Sequence, residues 1–194
     1  MHKIILLILS VAVCSGCGIQ SIPQSKNQVE ASMAEITNQY KRRADLIPSL
    51  VEVVKGYAKH EQNTLEGVIS ARAKATQITI DPSNVSPEKL AEFQSAQGSL
   101  SQALGRLMVV SERYPDLKAN QQFLDLQSQL EGTENRITIA RRRYIESIQD
   151  FNNLILVPPT SWTNSMMYHF EKKPQWDVDE SEKKSVEKAP EIKF

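Results

Sequence analysis

Apolar side chains recur at steps of three and four residues along nearly the whole chain after residue 26. This spacing places them on one face of an α-helix and does not suit the alternation of a half-buried β-strand. It predicts three long helical segments, over residues 27–77, 86–114 and 115–156. The fold class predicted is therefore all-α: an antiparallel helical bundle built on one long first helix that Pro48 kinks, plus two further long helices. A true break of the first helix at Pro48 is the alternative.

Proline and capping residues mark the predicted helix boundaries. Ser86-Pro87-Glu88 is typical of a helix start, with an N-cap hydroxyl, a proline in the first turn and an acidic side chain beside it. Tyr114-Pro115-Asp116 separates the second helix from the third, and Val157-Pro158-Pro159 ends the third. The aromatic and methionine side chains of residues 160–176 are expected to pack back on the bundle, and a short helix is the alternative. The resulting bundle domain spans residues 27–176, and the charged residues 177–194 are expected to be disordered.

Composition disfavours a nucleic-acid binder and excludes cysteine chemistry in the folded part. The 23 Lys and Arg side chains balance 23 Asp and Glu side chains, whereas a nucleic-acid binder usually has a basic excess. Both cysteines lie in the first 17 residues, so the folded part has no disulfide framework and no cysteine metal site. We therefore expect no nucleic-acid partner, no metal and no cofactor.

The N-terminus has the layout of a secretory signal. Lys3 precedes an apolar stretch that ends before Ser15, Gly16 and Cys17. Residues 4–13 would span only about 15 Å as a helix, which is too short to cross a bilayer core. The Ser-Gly-Cys sequence resembles the processing site of bacterial lipoproteins and predicts a signal peptide over residues 1–16 and an acylated Cys17. A plain signal peptide and a short uncleaved anchor are the alternatives.

Acylation would place the protein in the cell envelope. Residues 17–26 are predicted to form the lipid-bearing cysteine and a flexible tether, with the membrane as a partner through the acyl chains. Gly18 follows the cysteine, so the aspartate that suggests retention in the inner membrane is missing. The outer membrane is therefore favoured if the host has two membranes.

Five charged side chains interrupt or border the predicted apolar stripes and form a candidate polar seam: Arg43, Glu61, Arg72, Glu134 and Arg141. Burial of an unpaired charge is costly, so these groups should pair across helices or lie at a hydrated edge. We expect Glu134, or another acid of the third helix, to pair with Arg43. The seam either fixes the register of the helices or lines a polar groove for a ligand or partner; exposure at the surface is the third interpretation.

No catalytic motif is visible in the chain. His60-Glu61 lacks the second histidine of a metalloprotease motif, and neither a phosphate-binding loop nor a nucleophile elbow occurs. A non-enzymatic interaction or scaffold protein with a protein partner is therefore the first hypothesis. The alternative is an envelope enzyme whose carboxylates and arginines assemble between helices, with these candidate acids: Asp45, Glu61, Asp116 and Glu134. A lipid or envelope-polymer binder is the third hypothesis.

Three stretches of the chain resemble the LemA family: residues 40–75, residues 103–144 and the Phe-Asn-Asn-Leu-Ile sequence that follows. The segments RRADLIP, SERYPDLKAN and LEGTENRI carry the resemblance. It implies a membrane-tethered antiparallel helical bundle on the outer side of the inner membrane or at the cell surface. It implies no established biochemical activity. The short N-terminal signal departs from relatives that keep an uncleaved transmembrane anchor.

Overall fold

The computed structural model describes the backbone of residues 2–176 and the side chains of residues 19–176. All regular elements in this part of the chain are helices, which confirms the all-α fold class. The predicted tail at 177–194 and the side chain of Cys17 lie outside the described residues. The helices are α1 (His2–Tyr57), α2 (Gln62–Gln77), α3 (Pro87–Ser111), α4 (Pro115–Lys118), α5 (Gln121–Leu156) and α6 (Thr160–Thr163), followed by one π-helical turn at Asn164–Tyr168.

The first predicted segment, expected to be one long helix kinked at Pro48, is two helices, and the break between them does not lie at Pro48. Helix α1 continues through Pro48 and ends at Tyr57, and the chain reverses at residues 58–61 before α2 begins. The reversal brings Val54 of α1 and Val68 of α2 into the same buried cluster. One straight helix would have carried these side chains far apart, so folding back buries both halves of the stripe in one core.

The two prolines inside α1 each free a backbone carbonyl four residues earlier, because proline has no N–H to donate. Pro48 frees the carbonyl of Ala44, which accepts a hydrogen bond of 2.7 Å from Arg72 Nε of α2. Pro23 frees the carbonyl of Ile19, which accepts a hydrogen bond of 2.7 Å from the Tyr168 hydroxyl. Side chains from later elements thus satisfy both carbonyls, which lets the helix continue through the prolines.

The other predicted boundaries agree with the structure in most places. Ser86 caps α3, with its hydroxyl accepting a hydrogen bond of 3.3 Å from the Lys89 N–H. Helix α5 ends at Leu156, before the predicted stop. The third segment differs at its start: Pro115 opens only the short α4, and α5 begins after Asn120, whose side chain accepts a hydrogen bond of 2.9 Å from the Phe123 N–H.

The long helices pack with their neighbours antiparallel. Helix α5 runs back along α1, so that Tyr40 meets Arg141 at one level and Tyr57 meets Asn120 near the opposite end. Helix α2 packs on α1, and α3 packs on α2. The closely packed pairs of long helices are therefore α1–α5, α1–α2 and α2–α3, which leaves the side between α3 and α5 more open.

The expectation of a flexible tether before residue 27 is wrong for its described residues. Residues 19–26 belong to α1, and the Ile22 side chain is fully buried in the core. Ile22 packs in the same cluster as Phe151 and Ile155 of α5, so burial of apolar surface keeps this turn helical. Among the residues that the structure describes, no helix combines the length and apolar character needed to cross a bilayer.

The C-terminal segment packs on the bundle only in part. Trp176 meets the Tyr144 ring edge-on at 5.9 Å, and Phe170 lies 6.1 Å from Phe151. Met166 and Met167, by contrast, are 81% and 57% exposed. Packing back on the bundle is therefore the wrong expectation for these two methionines and for Trp162, which is 65% exposed. The short helix that was the alternative forms here, as α6 and the π-helical turn.

Candidate functional site

Arg43 of α1 is buried at the centre of the bundle, with only 1% of its surface exposed. Its Nη1 donates hydrogen bonds to Glu134 Oε2 of α5 at 3.0 Å and to Ser101 Oγ of α3 at 2.8 Å. Its Nη2 donates to the side-chain oxygen of Gln97 at 2.7 Å and to the Gln97 carbonyl at 3.2 Å. One guanidinium therefore joins α1, α3 and α5, and the expected pairing of Arg43 with Glu134 is present.

Arg43 belongs to a polar layer that divides the core in two. One apolar cluster contains Tyr40 of α1 and Phe93 of α3, and the other contains Ile47 and Leu100 of the same helices. Arg43 and Gln97 lie between these clusters, and Gln97 Nε2 also donates a hydrogen bond of 3.3 Å to the carbonyl of Ala75 in α2. A sliding helix would leave these buried polar groups without partners, so the layer favours one register.

A cleft lies above Arg43 on the open side of the bundle, between α3 and α5. Its volume is about 330 Å³. We call it the Arg43 cleft, and it is lined by Arg43, Ser101, Leu104, Gly105, Met108, Gln127, Leu130, Glu131 and Glu134. Its walls are largely apolar. One arginine, Arg43, and two carboxylates, Glu131 and Glu134, give the lining a formal charge of −1. An apolar wall with a few fixed polar groups is typical of sites that bind a ligand or a side chain of a partner.

Two other members of the predicted polar seam lie near Arg43 but outside its cleft. Arg72 Nε donates its hydrogen bond to the carbonyl of Ala44, the residue after Arg43, which Pro48 leaves without a backbone donor. Arg141 Nη2 donates a hydrogen bond of 3.2 Å to the Tyr40 hydroxyl, and its guanidinium lies 5.4 Å from the Trp176 ring. Tyr40 in turn lies 4.9 Å from the Arg43 guanidinium. Both arginines thus connect neighbouring elements to α1.

Glu61 is not part of the same arrangement. It precedes α2, eleven residues before Arg72, or roughly 16 Å along the axis. Its Oε1 accepts hydrogen bonds from Arg113 Nη2 at 2.9 Å and from the Tyr114 hydroxyl at 3.2 Å. Burial and, after it, the hydrogen bond to Glu61 raise the pKa of Tyr114. Glu61 thus ties the start of α2 to the end of α3.

The structure does not gather the four acids proposed for an enzyme site. Of Asp45, Glu61, Asp116 and Glu134, only Glu134 lines the Arg43 cleft, where its acidic neighbour is Glu131. Glu61 lies at the N-terminal end of α2, where it pairs with Arg113. Within the described part of the chain, no three His, Cys, Asp or Glu side chains come together as a metal site would require.

Gln97 and Ser101 are hydrogen-bonded to Arg43, and neither was predicted from the sequence as a member of the polar seam. The apolar stripe of α3 runs from Leu90 to Val110, and Gln97 falls on it, four residues after Phe93. A buried amide at that helical position is the signal that could have found it. Ser101 carries no such signal in the sequence, because serine is common on exposed helix faces. Its contact with Arg43 depends on how α3 packs beside α1.

Comparison with known proteins decides the family. A sequence model described as the LemA family matches residues 32–194 of the chain. The chain belongs to the LemA family. The match spans all four long helices apart from the N-terminal part of α1, so the Arg43 cleft lies inside the LemA region.

One relative with the name Protein LemA comes from Metamycoplasma hominis. It is 28% identical over 142 residues, which is 73% of this chain and 59% of the relative. This LemA family chain therefore matches less than two thirds of the length of that relative. The relative's name supports the family and states no substrate or partner.

Proposed function

We propose that this LemA family protein is an exported, acyl-anchored envelope protein that acts as a non-enzymatic binding module. The membrane anchor is Cys17, and the binding surface is the Arg43 cleft. The backbone of Cys17 lies in the same helix, α1, that carries Arg43. An anchor at this cysteine would therefore hold the bundle through a continuous helix.

The observation that carries the proposal is the open side of the bundle. Leu104 and Met108 of α3 line the Arg43 cleft together with Leu130 of α5. Leu104 and Leu130 keep only 9% and 8% exposure and Met108 is partly buried, so a docked helix would complete the burial of this apolar strip. The negative lining favours a cationic side chain beside them. The proposed partner is therefore an amphipathic protein helix with an apolar face and at least one Lys or Arg.

Gly105 offers a way to close the cleft without disturbing the bundle. A Cβ atom at this position would meet nothing within 4 Å. Gly105→Leu should project a side chain into the cleft and raise helix propensity by about 1 kcal/mol. Gly67→Leu is the matched control, because Gly67 is also a helical glycine with free space, on α2, away from the Arg43 cleft.

The test is photocrosslinking in intact cells from a reactive residue placed at Gln127, a lining position of the cleft. We expect an adduct whose mapped peptide is an amphipathic basic helix. The adduct should vanish in Gly105→Leu and persist in Gly67→Leu. An adduct unaffected by Gly105→Leu, or none at all in the anchored protein, would contradict binding in the cleft.

Mass spectrometry of the mature protein tests the anchor separately. The expected product begins at Cys17 and carries acyl chains, and Cys17→Ser should abolish the modification and release the protein from membranes. A mature chain without lipid that fractionates away from membranes would contradict this part of the proposal, whatever the crosslinking shows.

An envelope enzyme is the second candidate, and one observation favours it. Glu131 and Glu134 line the same cleft as Arg43, three residues apart and therefore on one helix face. Two carboxylates beside an arginine are groups from which acid–base chemistry is built. Incubation of envelope extracts with the protein should then consume a metabolite, and Glu131→Gln should stop that turnover. Equal turnover by both proteins would exclude the cleft as a catalytic site.

A further inference from the structure

The end of the bundle nearest the N-terminal segment carries an unusual apolar surface. Twelve large apolar side chains are exposed in the described part of the chain, and five of these lie in residues 156–167. We call this group the cap surface; it consists of Leu156 (59% exposed), Val157 (55%), Trp162 (65%), Met166 (81%) and Met167 (57%). Exposed apolar clusters of this kind mark interaction sites more often than scattered single residues do.

Two uncharged stretches from opposite ends of the sequence meet here. Residues 156–170 contain no Asp, Glu, Lys or Arg, and neither do residues 4–25. The Tyr168 hydroxyl donates a hydrogen bond of 2.7 Å to the Ile19 carbonyl, and Ile19 is itself 42% exposed. Cys17 precedes Ile19 by two helical residues, about 3 Å along the axis. The cap surface therefore lies beside the point from which α1 leads towards the proposed anchor.

Three lysines border this end of the molecule. Lys26, Lys172 and Lys173 line a depression together with Glu171, and Lys26 also pairs with Glu30 at 3.1 Å, which leaves Lys172 as the lysine whose side chain has no partner among the described residues. Phe170 lines the same depression and stacks on Tyr168 at 5.4 Å, which joins the basic border to the cap. Lysines beside exposed aromatic and apolar side chains match an anionic headgroup region above acyl chains.

We propose that the cap surface lies on the membrane, with Trp162, Met166 and Met167 in the boundary between headgroups and acyl chains. Tryptophan is favoured at that depth because its ring is apolar and its N–H remains hydrated. This inference rests on the proposed membrane anchor at Cys17. It adds that the bundle stands in one orientation, with α1 pointing into the bilayer and the Arg43 cleft above the surface.

The two tryptophans of the chain provide a matched pair of probes. Trp162 belongs to the cap surface, whereas Trp176 packs against Tyr144 and Arg141 on the bundle. Trp176→Phe leaves Trp162 as the only tryptophan, and Trp162→Phe leaves Trp176. Both variants would be made in the full chain, purified from membranes with the native N-terminus and reconstituted into vesicles of phosphatidylcholine and phosphatidylglycerol.

We expect the emission of Trp162 to shift to shorter wavelength in vesicles and to be lost when the lipids are brominated, while the emission of Trp176 stays unchanged. Vesicle flotation with unquenched Trp162 would overturn the inference and leave the anchor intact. A shifted but unquenched Trp162 would place a second protein copy on the cap and overturn it too. Failure to float would overturn the anchor and the inference together.

Charged substitutions supply a second measurement. Met166→Glu with Met167→Glu, made in the Trp176→Phe chain, should abolish quenching of Trp162 and leave flotation intact. Both methionines are exposed, so charged side chains at these positions should leave the stability of the bundle unchanged. Val109→Glu is the control, because Val109 is 71% exposed on α3 outside the cap surface. Quenching that survives the double substitution would overturn the inference.

Discussion

Single residues in this protein are constrained mainly by burial. Arg43 donates four hydrogen bonds from its two terminal nitrogens, while its Nε is buried without a hydrogen-bond partner among the described residues. Its partner Glu134 has a side chain that is 50% exposed, so water still reaches one end of the ion pair. The pair therefore contributes less through Coulomb attraction than through satisfying a guanidinium that cannot reach water.

Tyr144 leads to a prediction at the same scale. Burial raises the pKa of its phenol from 10.0 to about 12. Between these values the unfolded chain loses the proton and the native chain keeps it. The stability that Tyr144 contributes is therefore complete below pH 10 and lost as the pH rises through about 12. At about 1.4 kcal/mol per pKa unit, the loss is roughly 2–3 kcal/mol.

Denaturant unfolding at increasing alkaline pH measures this loss. Tyr144→Phe cannot ionise, so the stability of the variant should fall less over this interval than that of the parent chain. Absorbance titration provides a second readout, because Tyr144 should ionise near pH 12 in the folded protein. Parallel pH dependence in the two proteins would contradict the assignment.

At the scale of elements, α1 is held to later parts of the chain at the carbonyls that its prolines free. Arg72 Nε donates to the Ala44 carbonyl because Pro48 cannot. We expect Arg72→Met to destabilise the protein by about 1–2 kcal/mol, since a partly buried carbonyl loses its donor. In a Pro48→Ala chain the new backbone N–H can donate a hydrogen bond to the Ala44 carbonyl. Arg72→Met should then lower the free energy of unfolding by a smaller amount.

A double-mutant cycle measures this coupling. Arg72→Met and Pro48→Ala should show a coupling free energy, whereas Arg72→Met and Pro23→Ala should be additive. Pro23 serves as the control because its freed carbonyl, that of Ile19, bonds Tyr168 instead. Equal coupling in the two cycles would mean that the prolines act on α1 generally and not through these hydrogen bonds.

At the scale of the whole molecule, the polar layer separates two apolar cores along one bundle. Arg43→Ala should destabilise the protein by about 3–5 kcal/mol, because it removes one partner of a buried network. Arg43→Met with Gln97→Leu replaces both by apolar groups, and we expect its stability to lie within about 2 kcal/mol of the parent. The half-exposed Glu134 can then turn towards water.

The double substitution should allow the helices to pack in more than one register. If the polar layer selects the register, the double variant should show doubled or broadened amide resonances although its unfolding free energy is nearly unchanged. A sharp, single set of resonances would show instead that apolar packing alone selects the register. Denaturant unfolding and NMR spectra of the same samples separate these outcomes.

The sequence by itself determined the features that depend on residues within a turn or two. Helical periodicity, the Ser86 cap and the stop after Leu156 were all readable, because helix formation and capping are decided by near neighbours. The interruption of a stripe by Arg43 and Glu134 was also readable, since burying a charge requires a partner. That requirement correctly predicted their pairing.

The tertiary structure alone decided what depends on distant segments meeting. The local pattern continues through residues 58–61, and the chain reverses there because Val54 and Val68 are then buried in one core. The open side between α3 and α5, the role of Ser101 and the exposure of Met166 follow from how whole helices fit together. Periodicity tells which face of a helix is buried, but the partner of that face is set by the packing of the entire chain.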